Sequence, residues 1–499
     1  MPKLQTNGAK QKRTTYMILL LWAAICFALL VVDWCCWAPN RLDADMASEQ
    51  LLANLLAQEG GVMSTNWYYS TELRVLNTQL VMAPLFRLFT SWHTVRVVGS
   101  VVLILLYLAA WFWFGRSAKL KYSGLLGAGL LVLPYGALYR QYVLEGLYYI
   151  PHIAISFVVL GCAVRILRGG RRLAPAAGMV LFSFAAALGG PRQLFILNIP
   201  LTVAAALLCW LDALPADTLR QKLANAWRTP GGALLVPTLA ADAAALAGYL
   251  VNAKVLAEKY HFQDQGYVAF TGLNLDRLQW FANALLASFG WQEGKVFSLA
   301  ALFNLAAAAL ILFCFVLSVR LVRGKARYPL GHRLVGAFFL AGAACFALLY
   351  GLTNSGHSDR YLLPLAILFV PLLEIMLADC TPLHRPDARG LTALLAAILL
   401  LRAGTDYRAA AVATNPNQGA AQFLVQNGYR DGYASFWDGN VMTELTDGTL
   451  NVWTLTPNSV PELRPWLQVT SHLQTPPQGK IFFVISKWEA CHAGGCADL

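Results

Sequence analysis

Long apolar stretches recur along this chain of 499 residues, and short clusters of Lys and Arg separate them. About 20 apolar residues in an α-helix span the hydrocarbon core of a bilayer. Hydrophobic residues make up 58% of the chain and charged residues only 13%, about half of the roughly 25% that is usual for soluble domains. The sequence therefore predicts an integral membrane protein and excludes a disordered chain, a coiled coil and a disulfide scaffold. We predict about eleven transmembrane helices, at 16–37, 95–115, 120–139, 147–167, 175–189, 194–211, 233–251, 297–319, 334–352, 361–377 and 390–403.

The basic residues indicate on which side of the membrane each loop lies. With the N-terminus inside, the predicted inner segments hold 21 Lys and Arg in 76 residues, whereas the outer segments hold 15 in 221. Lys and Arg concentrate in cytoplasmic loops. We therefore predict that the large loops and the C-terminal segment are extracytoplasmic. The net charge of +12 is spread over many inner loops, a pattern that suits membrane lipids and argues against nucleic acid as a partner.

The composition changes after residue 403, where apolar runs become short and polar residues rise. Segments 433–437, 450–455 and 480–486 are predicted strands, because turn-forming residues bound them. We therefore divide the chain into a transmembrane domain over 1–403 and a small α/β domain over 404–499. Within that exported domain, the spacing of Cys491 and Cys496 favours a disulfide over a metal site.

The first outer loop, 38–94, begins with a run of acidic residues just after the first predicted span. A helical pattern follows to about residue 59, and Asp45 and Glu49 fall within its apolar stripe. A carboxylate against apolar surface is unfavourable unless it is compensated, which makes this loop the candidate site of chemistry. The alternative is structural: Asp43 caps the helix, and Asp45 is a first-turn acid favoured by the helix dipole.

A polar and aromatic stretch follows in the same loop, at 64–74. Trp67, Tyr68 and Tyr69 could belong to the interfacial aromatic belt or stack on sugar rings. Glu72 and Arg74 could pair with each other or hold a ligand.

Two arginines, Arg192 and Arg360, lie at the outer ends of predicted spans. Either arginine could simply extend its charged group to the membrane surface without binding a ligand. Converging on one pocket, they would instead bind a phosphate.

These residues together resemble the GT-C superfamily of membrane glycosyltransferases, which use polyprenyl-phosphate-linked sugars as donors. Members carry a catalytic acid just after the first span, where Asp43 and Asp45 stand here. Their late Arg-Tyr-x-x-Pro turn is similar to the motif that begins at Arg360 and Tyr361. Residues 67–74, 432–437 and 443–445 are similar to stretches of Gram-positive members. Many members carry adjacent acids, whereas Ala44 separates the two here, so the choice between them stays open.

The resemblance implies a GT-C-like bundle and glycosyl transfer, hexosyl or pentosyl, in the cell membrane to a glycan or lipid acceptor on the extracytoplasmic face. It implies Asp43 as general base, Asp45 as its partner or alternate, and Arg192 and Arg360 as phosphate ligands. We expect no cofactor and no protein-bound metal. Whether the reaction uses a divalent cation stays open. The remaining predicted substrate-binding residues are Arg41, Glu49, Trp67, Tyr68, Tyr69, Glu72, Arg74 and Tyr361.

Two other functional classes compete with a transferase. A transporter or flippase for the same lipid would need paired broken helices and charges near the membrane midplane, whereas the charges here lie near the outer surface. A non-catalytic glycan-assembly protein would grip glycan with aromatic side chains of the exported domain. The candidates, Trp437, Trp453, Trp466 and Trp488, could equally form the core of that domain.

Overall fold

The computed structural model describes residues 2–71, 73–120, 124–169, 172–262, 268–294, 296–354, 358–380, 386–456 and 461–486. Among these residues, eight helical segments are long and apolar enough to cross a membrane. Each coincides with one of the predicted spans, so the predicted class of a multi-pass helical bundle is confirmed. The eight segments are Arg13–Cys36, Trp92–Ala118, Ile150–Leu167, Leu194–Asp212, Pro230–Lys259, Leu299–Arg323, Leu330–Leu352 and Asp359–Ala378.

The other three predicted spans differ from a regular transmembrane helix. Segment 175–189 corresponds to a shorter apolar helix, Leu173–Ala187, and 390–403 lies inside the helix Pro386–Val412. Segment 120–139 is interrupted, because its first helix ends at Leu131. Gly136, which follows the interruption, packs so closely that a Cβ atom there would lie 2.7 Å from the Cα atom of Gly290. Only glycine permits such a backbone approach.

The helices are numbered in chain order. The first group is α1 (Pro2–Cys36), α2 (Ala44–Glu59), α3 (Gln79–Phe86), α4 (Trp92–Ala118), α5 (Leu125–Leu131), α6 (Ala137–Tyr139), α7 (Ile150–Leu167), α8 (Leu173–Ala187), α9 (Ile199–Asp212), α10 (Leu219–Trp227) and α11 (Pro230–Val251). The second group is α12 (Ala257–Lys259), α13 (Leu275–Ser288), α14 (Leu299–Arg323), α15 (Leu330–Leu352), α16 (Leu363–Ala366), α17 (Phe369–Ile375), α18 (Pro386–Val412), α19 (Gln418–Gln426), α20 (Phe436–Leu445) and α21 (Ser471–Gln474). Shorter 3₁₀ or π turns cover Ala38–Arg41, Arg140–Glu145, Leu194–Asn198, Asn252–Leu256, Asp359–Leu362 and Met376–Cys380.

The C-terminal residues form a small parallel sheet with helices beside it. The strands are β2 (Asp431–Ser435), β3 (Asn451–Leu455) and β5 (Ile481–Val484), in the order β3-β2-β5. All three predicted strands are present, but the first ends at Ser435 because α20 begins at Phe436. The division of the chain at residue 403 stays a prediction, since α18 continues to Val412.

The outer loop and the C-terminal domain share a second, two-stranded sheet. Its strands, β1 (Trp67–Tyr68) and β4 (Gln468–Val469), are antiparallel, and Trp67 lies opposite Val469. A side-chain contact adds to this pairing: Asn440 of α20 donates from Nδ2 to Ser48 Oγ of α2 at 2.9 Å. Helix α2 is thereby fixed between the bundle and the C-terminal domain.

A buried ion pair joins α20 to the second transmembrane helix. Arg96 of α4 donates to both carboxylate oxygens of Glu444, at 2.5 and 2.6 Å. Two residues beyond α20, Asp447 accepts a hydrogen bond through Oδ1 from the amide of Trp92 at 2.7 Å. The C-terminal domain therefore satisfies one of the unpaired amides at the beginning of α4.

Candidate active site

A cavity of about 400 Å³ lies where the first turn of α2 meets the bundle and the C-terminal domain. Its volume falls within the range of about 300–1,000 Å³ that is usual for small-molecule sites. Two acids, two arginines and several aromatic side chains face it. The lining residues are Asp43, Asp45, Gln141, Tyr142, Arg360, Phe436, Trp437, Arg464 and Trp466.

Asp43 is fixed by hydrogen bonds to both carboxylate oxygens. Its Oδ1 accepts the amide of Met46 at 2.8 Å, which makes it the N-cap of α2. Its Oδ2 accepts from Gln141 Nε2, also at 2.8 Å. One oxygen of Asp43 therefore caps α2, as the structural alternative from the sequence predicted. The other oxygen faces the bundle.

Asp45 has fewer protein contacts and faces the cavity more openly. Its side chain is 37% exposed, and Oδ2 lies 3.7 Å from Nη1 of Arg360. Burial raises the pKa of the Asp45 carboxyl, and the negative charge of Asp43 raises that pKa further. The guanidinium groups of Arg360, Arg74 and Arg464 oppose this increase. A carboxylate with a raised pKa is better suited to accept a proton near neutral pH.

Arg360 approaches Asp45 from the bundle. It lies in the 3₁₀ turn Asp359–Leu362, and its Cζ is 5.1 Å from the centroid of the Tyr142 ring. Arg192 does not line the cavity. Its guanidinium lies 5.2 Å from the ring of Tyr361 and 5.4 Å from that of Tyr149. The predicted acids and Arg360 thus meet in one cavity, whereas Arg192 and Tyr361 are not among its lining residues.

Glu49 and Arg74 meet in a separate, much smaller cavity of about 20 Å³. The two side chains are 3.7 Å apart, and Glu49 Oε2 also accepts hydrogen bonds from Asn77 and Thr78 at 2.9 and 2.8 Å. Burial raises the pKa of the Glu49 carboxyl. These contacts favour a structural role for the pair. Glu72, the other predicted partner of Arg74, lies outside the described residues.

Two of the three aromatic residues that were predicted to stack on a sugar are buried. Trp67 is fully buried and Tyr69 only 4% exposed, and the Tyr69 hydroxyl accepts the amide of Ser64 at 2.9 Å. Tyr68 is half-buried against the ring of His261 at 5.2 Å. The faces of Trp67 and Tyr69 are covered by the protein, so neither can stack on a sugar in this conformation.

Arg41 belongs to a buried ionic network below the cavity. Its Nη2 donates to Asp33 Oδ1 at 2.7 Å and also contacts Glu145. Arg140 continues the network towards Glu145 and Asp406, at 3.5 and 3.6 Å. Burial raises the pKa of Glu145 to about 7. Only Nη2 of Arg41 meets these carboxylates, whereas Nε and Nη1 are buried without a hydrogen-bond partner among the described residues, so the contact of Arg41 with substrate stays a prediction.

Sequence reasoning missed three polar residues of the cavity: Gln141, Tyr142 and Arg464. No local pattern marks them, because distant segments bring them together. It left open the role of the tryptophans in the C-terminal domain. Trp437 and Trp466 line the cavity, whereas Trp453 is 6% exposed and stacks on His472 in the domain interior. Trp488 and the predicted Cys491–Cys496 disulfide lie outside the described residues.

Within the described ranges, no group of three or more His, Cys, Asp or Glu side chains is placed to hold a metal ion. The absence of a protein-bound metal and the use of a divalent cation both stay predictions.

No protein-family model matches this sequence, and no curated protein does. Solved structures do show similarity. Two are of the oligosaccharyltransferase of Archaeoglobus fulgidus. The first, tethered to an acceptor peptide, has a TM-score of 0.46 and 12% identity, covering 88% of this chain and 63% of that chain. The second, with Zn and sulfate, has a TM-score of 0.46 and 13% identity, covering 87% and 62%.

A third similar structure is the mycobacterial arabinofuranosyltransferase AftD. It has a TM-score of 0.36 and 14% identity, covering 90% of this chain and 33% of that chain. These neighbours have the GT-C fold. This chain spans less than two thirds of each neighbour's length. At these identities and TM-scores, the likeness decides neither the family nor the activity of this chain.

Proposed function

We propose that this chain is a glycosyltransferase of the cell membrane that moves a hexosyl or pentosyl group from a polyprenyl-phosphate donor to an extracytoplasmic acceptor. The observation that carries the proposal is the pairing of Asp45 with Arg360 in one cavity at an end of the bundle. A proton acceptor opposite a cation provides the two functions that a single displacement at an anomeric carbon requires.

The proposed reaction has one step. The acceptor hydroxyl oxygen attacks the anomeric carbon of the donor, and the bond between that carbon and the phosphate oxygen breaks. The electron pair of this bond leaves with the polyprenyl phosphate, whose negative charge Arg360 stabilises. The hydroxyl proton passes to a carboxylate of α2. A glycosidase needs two carboxylates placed across the bond, whereas this transfer needs one base.

The geometry favours Asp45 as the base, although the resemblance implies Asp43 first. Asp43 already accepts one hydrogen bond at each oxygen, and both bonds hold it in place. Asp45 is open to the cavity and has the raised pKa. We assign Asp43 the role of positioning α2 and of keeping negative charge next to the base.

The test uses the purified full chain in lipid nanodiscs, with a panel of polyprenyl-phosphate hexoses and pentoses. We expect Asp45→Asn to lower the rate of transfer at least about 100-fold, because positioned bases contribute about 10²–10⁴. Asp43→Asn should lower the rate less than about 10-fold, since Asn caps helices about as well as Asp. Glu59→Gln, the same chemical change at the exposed end of α2, is the matched control and should be fully active.

Full activity in Asp45→Asn would remove the base assignment, and a large loss in Asp43→Asn alone would move that assignment to Asp43. Movement of intact donor between leaflets of a vesicle, without cleavage, would identify a flippase instead. Absence of both transfer and movement with every donor would leave a glycan-assembly protein as the better description.

A further inference from the structure

The side of the cavity opposite the bundle is built by the C-terminal domain, and it is aromatic and cationic. Phe436 and Trp437 come from the beginning of α20, while Arg464 and Trp466 come from the segment before β4. Trp437 is 57% exposed although it faces a cavity. An exposed indole beside a second tryptophan offers apolar faces of the kind that the C–H face of a sugar ring covers.

Arg464 lies within this aromatic wall and is available to a ligand. Its Cζ is 5.0 Å from the ring of Trp466 and 5.4 Å from that of Phe436. In the part of the chain that the structure describes, no residue forms a side-chain hydrogen bond or an ion pair with its guanidinium. Two ring faces therefore hold a guanidinium whose planar set of N–H donors suits a carboxylate or a phosphate.

A strained turn holds this wall in place. Leu467, next to Trp466, has a φ angle of +47°, a conformation that is unfavourable for a residue with a Cβ atom. Asn440 Nδ2 donates to the Leu467 carbonyl at 3.0 Å and to Ser48 Oγ at 2.9 Å. Ser48 lies one turn after Asp45 on α2. The aromatic wall is therefore tied to the helix that carries the proposed base.

The two arginines of the cavity stand on different sides of Asp45. Arg360 belongs to the bundle, where a polyprenyl tail must remain in the membrane and deliver its phosphate. Arg464 belongs to the domain on the other side, from which a polar acceptor would approach. One arginine is thus placed for each substrate.

We propose that Trp437, Arg464 and Trp466 form an acceptor subsite for a saccharide that carries an anionic group, a carboxylate or a phosphate, near the accepting hydroxyl. This inference rests on the proposed transferase function, because it assigns the second substrate of the same cavity. The tryptophans cover the sugar faces, and Arg464 binds the anionic group.

The test measures binding to the full chain in nanodiscs, without any donor. The probes are tetragalacturonic acid and its fully methyl-esterified form, which share rings and linkages but differ in charge. Maltotetraose with and without one phosphate monoester is the second pair, and it separates phosphate from carboxylate. We expect at least one anionic probe to bind about 10-fold more tightly than its neutral counterpart. Arg464→Gln should abolish that difference, and Trp437→Ala should weaken both members of the pair.

The matched control is Arg430→Gln, which removes an exposed arginine of the same domain and should leave binding unchanged. A second measurement uses undecaprenyl phosphate: Arg360→Gln should weaken its binding about 10-fold, whereas Arg464→Gln should not. Size-exclusion profiles and melting temperatures of all variants establish that they are folded.

Three results would overturn this acceptor assignment. They are equal binding of the anionic and neutral probes, absence of binding by all four, and equal loss of undecaprenyl phosphate binding in Arg464→Gln and Arg360→Gln. Failure of the transferase proposal is a separate result, because it appears as absence of transfer from every lipid-phosphate sugar while the glycan binding persists.

Discussion

Two acids in the same helical turn have different surroundings, and the difference supports the different roles that we propose for them. Asp43 precedes α2 and meets the free amides of its first turn, which hold one of its oxygens. Asp45 is inside the turn and faces the cavity, where, among the described residues, Arg360 is its ion-pair partner at 3.7 Å. The intervening Ala44 thus separates a carboxylate held by hydrogen bonds from the one that we propose as the base.

Because Asp43 and Arg464 both act on the pKa of Asp45, replacing either one should change the pH dependence of kcat/KM. A base must be deprotonated, so kcat/KM should rise with pH through the pKa of Asp45. The charge of Asp43 raises that pKa, so Asp43→Asn should move the acidic limb of the profile to lower pH. Arg464 opposes the increase, so Arg464→Gln should move the limb to higher pH. The measurement is kcat/KM from about pH 4 to 9 on a donor that the wild type uses.

Glu59→Gln should leave the acidic limb in place, because Glu59 is at the other end of α2. An unchanged limb in Asp43→Asn would contradict the assignment of Asp45 as the titrating group.

At the scale of elements, the pair of Arg96 and Glu444 makes α4 and α20 one unit. Both side chains are nearly fully buried, with 8% and 7% exposure, and Arg96 Nη2 also donates to the Met46 carbonyl of α2 at 2.9 Å. Three elements from distant parts of the sequence therefore meet at one guanidinium. The first turn of α2, and with it the cavity, depends on this contact.

Removing one partner should destabilise the protein strongly. We expect Arg96→Met or Glu444→Leu alone to lower the free energy of unfolding by about 3–5 kcal/mol, because each leaves a buried charge unpaired. The double variant should lose less than the sum of the two, since no unpaired charge remains. Denaturant unfolding in detergent micelles measures all three. The exposed Arg87→Met is the control, with a change within about 0.5 kcal/mol, and strict additivity would contradict the coupling.

At the scale of the whole molecule, the distribution of charge predicts the orientation in the membrane. We expect Gln478→Cys, exposed in the C-terminal domain, to react with an impermeant maleimide in intact cells. Asp217→Cys, exposed in a predicted inner loop, should react only after the cells are opened. Both changes are made in a chain whose ten native cysteines are replaced by serine. Reversed labelling would place the cavity on the cytoplasmic side.

The sequence predicts the bundle well because each transmembrane helix corresponds to one continuous apolar stretch of residues. It predicts the interrupted segment 120–139 poorly: α5 ends at Leu131, and the close approach of Gly136 to Gly290 comes from folding, which no local pattern reveals. The same limit applies to the cavity. Asp45 stands out through its place in an apolar stripe, whereas Arg464 and Trp466 come near it only through folding of the C-terminal domain.

The hydrogen bond from the Trp92 amide to Asp447 has a consequence for the order of assembly. A ribosome makes the second transmembrane helix early and the residues that complete its first turn late. The amide of Trp92 therefore gains this partner only when the later C-terminal domain has docked onto the bundle. The wall that contains Trp437 and Arg464 belongs to the same domain, so the cavity is complete only after that domain has folded against the bundle.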